Sequence, residues 1–102
     1  LLQELAQSSL VVYCGHNGGE QYITSASVAA ARARAVVWLM GCSSGALRPV
    51  APGACFPPVG MVMSYVQAGA PAVVGNLWEV TDRDLDAVCQ GTSSLQLHIY
   101  TL

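Results

Sequence analysis

Three short, unbroken apolar runs most constrain what this chain can fold into. They occupy residues 10–14, 35–40 and 72–78. Each run is rich in Val or aromatic residues and continuous rather than alternating, which is typical of parallel strands covered on both faces. The segments between the runs have helix-like composition, so the order is helix, strand, helix, strand, helix, strand, helix. This order predicts an α/β fold with a parallel sheet and right-handed crossovers.

The helices are predicted over residues 1–7, 25–34, 58–68 and 82–88. Ser25 or Ser27 is the expected N-cap of the second helix, and Gly69 the glycine that ends the third. Residues 48–58, rich in Pro and Gly, are expected to form an exposed loop. Residues 90–94 are expected to be a turn, and residues 95–102 a weak strand.

Composition limits the function as well as the fold. Of 102 residues, 53% are hydrophobic and 10% are charged, against about 25% charged in ordinary soluble domains. We therefore expect the chain to be a piece of a larger domain. Its net charge of −2 predicts no direct nucleic-acid contact, and Pro and Gly interrupt its long uncharged stretch, so no membrane span is expected. The low density of cysteines favours a reducing, intracellular compartment.

Reactive side chains follow the first two predicted strands. His16 comes just after the first and Cys42 just after the second. Because parallel strands place their carboxyl ends at one edge, where α/β proteins bind ligands, these two side chains are predicted to face a common substrate. A thiol beside an imidazole is the arrangement for nucleophilic attack on an acyl group.

Glycines surround this pair. Gly15 and Gly41 are predicted to turn the backbone sharply off the strands. Gly18, Gly19 and Gly45 are predicted to leave room for a peptide and to expose backbone N–H groups to an oxyanion. The remaining cysteines, Cys14, Cys55 and Cys89, are expected to be packed in the interior.

Two other sites use overlapping residues. Ser43, an acid among residues 82–86 and His98 stand in the order of an α/β-hydrolase triad, although the prolines that follow Ser43 disfavour the required helix. Cys14, His16, Cys42 and Cys55 are a possible zinc set, although they lack the paired short spacings of known frameworks.

Acidic residues follow the third predicted strand: Glu79, Asp82, Asp84 and Asp86. Acids are common in the first turn of a helix because the helix dipole favours them there. They also lie beyond a strand end, beside the predicted dyad. A carboxylate at that place could receive a basic substrate side chain, since Arg pairs with carboxylate in a bidentate way.

Five segments resemble the protease core of separases: YCGH at residues 13–16, GEQYI at 19–23, LMGCSSGAL at 39–47, AGAPAVV at 68–74 and NLWEVTDRDLD at 76–86. The resemblance runs from about residue 9 to residue 86. It implies a caspase-like fold, with three αβα layers and a mainly parallel sheet of which about three core strands are present. Residues 1–86 would be a fragment of this protease domain, and residues 87–102 a divergent tail of uncertain structure.

The resemblance also implies an activity. Separases are cysteine endopeptidases that cleave the kleisin subunit of cohesin after Arg, releasing sister chromatids at anaphase, and securin inhibits them as a pseudosubstrate. By this likeness His16 is the catalytic histidine and Cys42 the nucleophile. The N–H groups of Asn17 and Cys42 would form the oxyanion hole, and Asp82 would bind the P1 arginine. No cofactor or metal is implied, and the expected location is nucleus and cytoplasm.

The chain departs from the family pattern at three places. Asn17 stands where the family usually has Gly, the loop over residues 48–58 lacks an aromatic-acidic run, and the likeness ends after Asp86. Two alternatives therefore stay open: a catalytically inactive interaction module that binds a securin-like partner, and another caspase-like protease. An active-site probe with Arg at P1 distinguishes the inactive module from an active protease. Cleavage of a kleisin peptide distinguishes a separase from another caspase-like protease.

Overall fold

The computed structural model describes residues 1–53 and 58–93. The predicted order of elements is confirmed. In chain order, the elements are α1 (Leu2–Gln7), β1 (Leu10–Tyr13), α2 (Ser25–Ala30), β2 (Val36–Leu39), α3 (Met61–Gln67), β3 (Val73–Val74) and α4 (Asp82–Ser93).

The three strands form one parallel sheet in the order β1-β2-β3. Tyr13, the last residue of β1, lies opposite Leu39, the last residue of β2. The Met40 N–H donates to the Tyr13 carbonyl at 2.8 Å. The chain therefore leaves both strands at the same level of one sheet edge.

Both faces of the sheet are covered, which explains why the apolar runs are continuous. On one face Val11, Val37 and Leu39 pack against α1, α2 and α3, with Tyr65 of α3 fully buried. On the other face a smaller cluster is built on Val12, Trp38 and Met40, with Leu10 and Leu85 of α4 packed against it. The arrangement is the predicted three-layer αβα sandwich.

Two predicted features of the helices are wrong. The N-cap of α2 is Thr24, whose Oγ1 accepts a hydrogen bond from the Ser27 N–H at 3.2 Å. Either serine of α2 fits the capping pattern equally well, but the extended backbone that a cap requires falls at Thr24. The last helix runs through Ser93, so residues 90–93, predicted as a turn, are helical.

The third strand is much shorter than its apolar run. Only Val73 and Val74 pair with β2, because Asn76 turns away to donate its N–H to the Ser44 side chain. The loop after residue 47 is exposed over residues 48–53, and Arg48 and Val59 close its base with two backbone hydrogen bonds. The predicted strand at 95–102 lies outside the described residues, as do Cys55 and His98. In the described ranges no helix combines the length and hydropathy needed to cross a membrane.

Candidate active site

His16 and Cys42 stand at equivalent positions, each three residues beyond the last residue of its strand. The strands are neighbours with their ends in register. Both residues line one cavity of about 320 Å³ at the carboxyl edge of the sheet. The His16 residue is exposed, and Cys42 is half-buried. The structure thus brings the predicted thiol and imidazole to one cavity.

Two carboxylates of α4 line the same cavity, Asp82 and Asp86. They are four residues apart and therefore lie on one face of the helix. Asp84, another acid of the cluster that follows β3, is exposed and does not line the cavity. Thr81 caps this helix by accepting a hydrogen bond from the Asp84 N–H at 3.2 Å. The sequence placed Asp86 in the acidic cluster but gave it no binding role, although its helical spacing from Asp82 was a usable signal.

The Cys42 thiol is held by the segment that leads into α4. Its Sγ donates to the Val80 carbonyl oxygen at 2.9 Å and accepts from the Val80 N–H at 3.4 Å. Among the described residues no hydrogen bond joins the His16 ring to Sγ. The thiol and the imidazole therefore share a cavity while the thiol is bonded elsewhere.

A buried serine ties the Cys42 loop to the chain after β3. Ser44 is 2% exposed, and its Oγ donates to the Leu39 carbonyl at 2.9 Å and accepts from the Asn76 N–H at 3.1 Å. The Asn76 side chain in turn donates to the Gly41 carbonyl at 3.1 Å. These contacts fix the acidic segment beside Cys42. The sequence analysis did not single out Ser44 or Asn76, because such long-range hydrogen bonds leave no local pattern.

The loop of His16 lies directly on the loop of Cys42. A methyl group on Gly41 would overlap the Asn17 carbonyl oxygen and stand 2.7 Å from the Asn17 nitrogen. Asn17 has a left-handed backbone with φ of 51°, a conformation that Gly adopts freely and Asn more readily than most residues. No described group accepts a hydrogen bond from the main-chain N–H of Asn17 or Cys42. The Asn17 N–H accordingly lies beside the backbone that carries the thiol.

The chain bends at Gly15 and Gly41 as predicted, and Gly41 also permits the close contact between the two loops. The predicted roles of the other three glycines are wrong. Gly18 and Gly19 are buried in the His16 loop, and Gly45 is buried against Gly75. None of these three is open to a peptide. Small residues are needed at these positions because two backbone segments are in direct contact. Glycines near a strand end look the same in the sequence whether they allow such a contact or leave room for a ligand.

Three further sequence expectations can be placed. Cys14 is exposed on the wall of the small cavity, so the expectation that it packs in the interior is wrong. Ser43 lies in a turn and lines a different cavity, which does not fit a hydrolase elbow leading into a helix. Within residues 1–53 and 58–93 no group of three or more His, Cys, Asp or Glu side chains is arranged to hold a metal ion.

The tyrosine Tyr13 completes the support of the His16 loop. Its hydroxyl donates to the His16 carbonyl at 3.1 Å, and burial, reinforced by Tyr22 and Glu20, raises the pKa of the phenol above its ordinary value.

The fold and the site together define a class of protein. A parallel sheet lies between two layers of helices and brings a thiol, an imidazole and acidic side chains to its carboxyl edge. This is a caspase-like fold with the side chains of a cysteine-protease site.

Comparisons with known proteins narrow this class to one family. The family model "Separin, protease domain" matches residues 1–85. Separin of Schizosaccharomyces pombe is 46% identical over 85 residues, which are 83% of this chain and 4% of that protein. Separin of Saccharomyces cerevisiae is 43% identical over 86 residues, 84% of this chain and 5% of that protein. The chain therefore belongs to the separin protease-domain family, and it spans about one twentieth of the length of these relatives.

Solved structures agree with this assignment. A crystal structure of the Saccharomyces cerevisiae separase–securin complex at 2.6 Å superposes with a TM-score of 0.81 and 35% identity, covering 99% of this chain and 7% of that one. A second structure of the same complex, at 3.0 Å, gives a TM-score of 0.78 and 41% identity over 88% of this chain and 6% of that one. The predicted caspase-like fold is confirmed.

Proposed function

We propose that the protein is a cysteine endopeptidase of the separase type, with Cys42 as nucleophile and His16 as its base. The observation that carries the proposal is the cavity at the carboxyl edge of the sheet, which Cys42, His16 and Asp82 line together. Membership of the separin family supports the same assignment.

The chemistry is that of a thiol–imidazole dyad. His16 takes the thiol proton as Cys42 Sγ attacks the substrate carbonyl, and it then delivers that proton to the departing amine, leaving an acyl-enzyme. Water, deprotonated by His16, hydrolyses the thioester and restores the thiol. The N–H groups of Asn17 and Cys42 would stabilise the oxyanion of each tetrahedral intermediate, and the contact between Gly41 and Asn17 supports this role.

The acids in the cavity favour a basic residue before the scissile bond. We propose that Asp82 binds a P1 arginine, and Asp86, one helical turn away on the same wall, adds negative charge. The proposed substrate is the kleisin subunit of cohesin, cut after Arg. The proposed inhibitor is securin, because the relatives of known structure are separase–securin complexes. A protein with these partners would act in the nucleus and cytoplasm.

The test uses the full-length native protein and a peptide acyloxymethyl ketone with Arg at P1, which alkylates an active cysteine. We expect labelling of wild type and cleavage of a kleisin peptide after Arg. Cys42→Ala should abolish both. Cys14→Ser, which alters the other thiol on the cavity wall, should leave both intact. Labelling at Cys14 with Cys42 unmodified would contradict the assignment.

One observation favours a second function. The Cys42 thiol donates a hydrogen bond to the Val80 carbonyl oxygen rather than to the His16 ring. This arrangement suits an inactive module that keeps the fold and binds a securin-like partner. Such a module would bind a securin peptide and leave the arginine probe unreacted, whereas the protease reacts with the probe and loses that reaction when securin is added.

A further inference from the structure

A second and larger cavity, of about 740 Å³, lies on the α2 and α3 side of the sheet, whereas the candidate active site lies on the α4 side. Helices α2 and α3 line it, together with Arg48, Pro58 and Val59. Two of its lining residues are Asn17 and Ser43, the residues that directly follow His16 and Cys42. The loops that carry the proposed dyad therefore separate the two cavities at the carboxyl edge of the sheet.

The backbone explains how one pair of loops serves two cavities. Asn17 and Ser43 both have left-handed conformations, each with φ of 51°. Since the chain turns at each of them, His16 and Cys42 line the smaller cavity while Asn17 and Ser43 line the larger one. The proposed nucleophile thus stands at the boundary between the two.

We propose that the larger cavity binds the peptide segment that follows the scissile bond. This rests on the proposed function, in which Asp82 holds the arginine before that bond in the smaller cavity. A protease substrate extends on both sides of the nucleophile. The segment after the cut therefore leaves the boundary over Asn17 and Ser43 and enters the cavity between α2 and α3.

The charges that line this cavity indicate the kind of segment it takes. The Glu20 carboxylate accepts a hydrogen bond from the Gly18 N–H at 2.9 Å, within its own loop. Arg48 is exposed, and no hydrogen bond or ion pair of its guanidinium is found among the described residues. None of residues 54–57 in the same loop is acidic. Glu20 keeps its negative charge, but its carboxylate is bonded within its own loop, so Arg48 is the charged lining residue left to pair with an acidic side chain in the first few positions after the cut.

The experiment compares two substrates in the full-length native protein. One is a peptide that ends at Arg with a fluorogenic amine as leaving group, and the other continues for four residues that include Glu. Ala26→Trp places a large ring on the α2 wall of the larger cavity. We expect kcat/KM for the long peptide to fall at least tenfold, while cleavage of the short substrate is unchanged. Ala30→Trp, an exposed position on α2 outside the cavity, should change neither.

A charge reversal tests the second part of the proposal. Wild type should prefer a long peptide with Glu after the cut to one with Lys, and Arg48→Glu should prefer the Lys peptide. We expect kcat/KM for each long peptide to change by about tenfold and that for the short substrate to stay the same.

The outcomes separate this inference from the proposed function. Suppose that wild type cleaves the short substrate. If Ala26→Trp then leaves cleavage of the long peptide unchanged, or impairs both substrates equally, the larger cavity is not the binding site. An unchanged Glu preference in Arg48→Glu overturns the role of the charge. Failure of wild type to cleave either substrate overturns the proposed function, and this inference with it.

Discussion

At the scale of single residues, the candidate nucleophile is held by main-chain groups of Val80. The Val80 N–H donates to Sγ and its carbonyl accepts from the thiol. An N–H directed at sulfur stabilises the thiolate, whereas a carbonyl stabilises only the protonated thiol. When the proton moves to His16, the Val80 carbonyl loses its donor. The segment from Val80 to Asp82 therefore connects the state of the thiol with the position of the proposed arginine-binding acid.

The first prediction concerns substrate preference. Asp82→Asn in the full-length native protein should lower cleavage after Arg by roughly 30-fold to several-thousand-fold. A charge-assisted contact contributes roughly 2–5 kcal/mol once the bound substrate covers the Asp82 carboxylate, which is exposed in the free protein. Wild type should prefer Arg to Lys, because a carboxylate pairs with both N–H groups of a guanidinium but only with a point charge on Lys. Peptides that differ only at P1 measure both effects, and alkylation of Cys42 should stay near the wild-type rate.

The neighbouring acids are matched controls for this prediction. Asp86→Asn, on the cavity wall, should lower Arg cleavage by a smaller factor, because it removes negative charge without the direct contact. Asp84→Asn, on the same helix but outside the cavity, should have no effect on preference. If the Asp82→Asn protein still prefers Arg, then Asp86 rather than Asp82 makes the proposed contact.

The second prediction concerns the contact between the two loops. Gly41→Ala should destabilise the site by about 1–3 kcal/mol, because overpacking against backbone cannot be relieved by a side-chain rotation. It should also displace the Asn17 N–H and lower kcat more than it changes KM. Gly91→Ala, where an added Cβ meets nothing within 4 Å, should be neutral or slightly stabilising. Wild-type kcat in Gly41→Ala would show that the loop contact does not position the oxyanion hole.

At the scale of elements, α3 packs against the His16 loop and holds it in place. Tyr65 of α3 is fully buried, and its hydroxyl donates to the Gly18 carbonyl at 3.3 Å. Gly18 also lies so close to Met61 of α3 that a Cβ there would stand 2.7 Å from the Met61 Cβ. The position of His16 therefore depends on a helix that follows it by more than forty residues in the chain.

The third prediction removes this support. Tyr65→Phe should weaken the closed state of the His16 loop by about 1 kcal/mol, the usual net contribution of a hydrogen bond. Amide hydrogen exchange in the peptide covering residues 15–20 should then be about fivefold faster in the native protein. Tyr22→Phe is the control, because Tyr22 is 76% exposed. Equal exchange in Tyr65→Phe and wild type would contradict the supporting role.

The same tyrosine predicts a response to alkaline pH. Burial, with smaller contributions from Glu20 and Tyr13, raises the pKa of Tyr65 from 10.0 to about 12. The unfolded chain thus loses this proton first, so the contribution to stability is complete below pH 10 and is lost as the pH rises towards 12. The thermal midpoint should fall less steeply over this range in Tyr65→Phe than in wild type, which parallel melting curves would show.

At the scale of the whole molecule, the sheet has a sparsely covered side at β3. Val74 is 51% exposed, and the residues that follow, Leu77 and Trp78, are 66% and 69% exposed. Within the described residues no further strand pairs with β3. An edge strand with exposed apolar neighbours is a template for association with other chains.

The fifth prediction follows for the 102-residue chain by itself. Three short strands bury little apolar area against the entropy of the chain, so we expect a partly molten or aggregating species. Circular dichroism during heating and size-exclusion chromatography in dilute buffer are the measurements. Val74→Lys should reduce the aggregation, because a charge on an edge strand opposes pairing. A monomer with a cooperative thermal transition would contradict this expectation.

Local patterns in the sequence determined the order of the elements. The continuous apolar runs at β1 and β2 predict buried parallel strands because a strand covered on both faces has no polar side. That prediction alone places His16 and Cys42 at one sheet edge, and the separase-like segments around them predict the family. Asp82 could likewise be placed near them, because it begins the helix after the third strand.

The tertiary structure decided which groups meet inside that frame. It selected Asp86 rather than Asp84 for the cavity wall, buried Gly18, Gly19 and Gly45 instead of exposing them, and used Ser44 to hold the chain after β3. It also ended β3 after two residues and separated two cavities at Asn17 and Ser43. These outcomes depend on contacts between segments far apart in the chain. Composition and periodicity report the environment of one segment at a time, so they predict which side chains reach an edge but not which backbone atoms close around them.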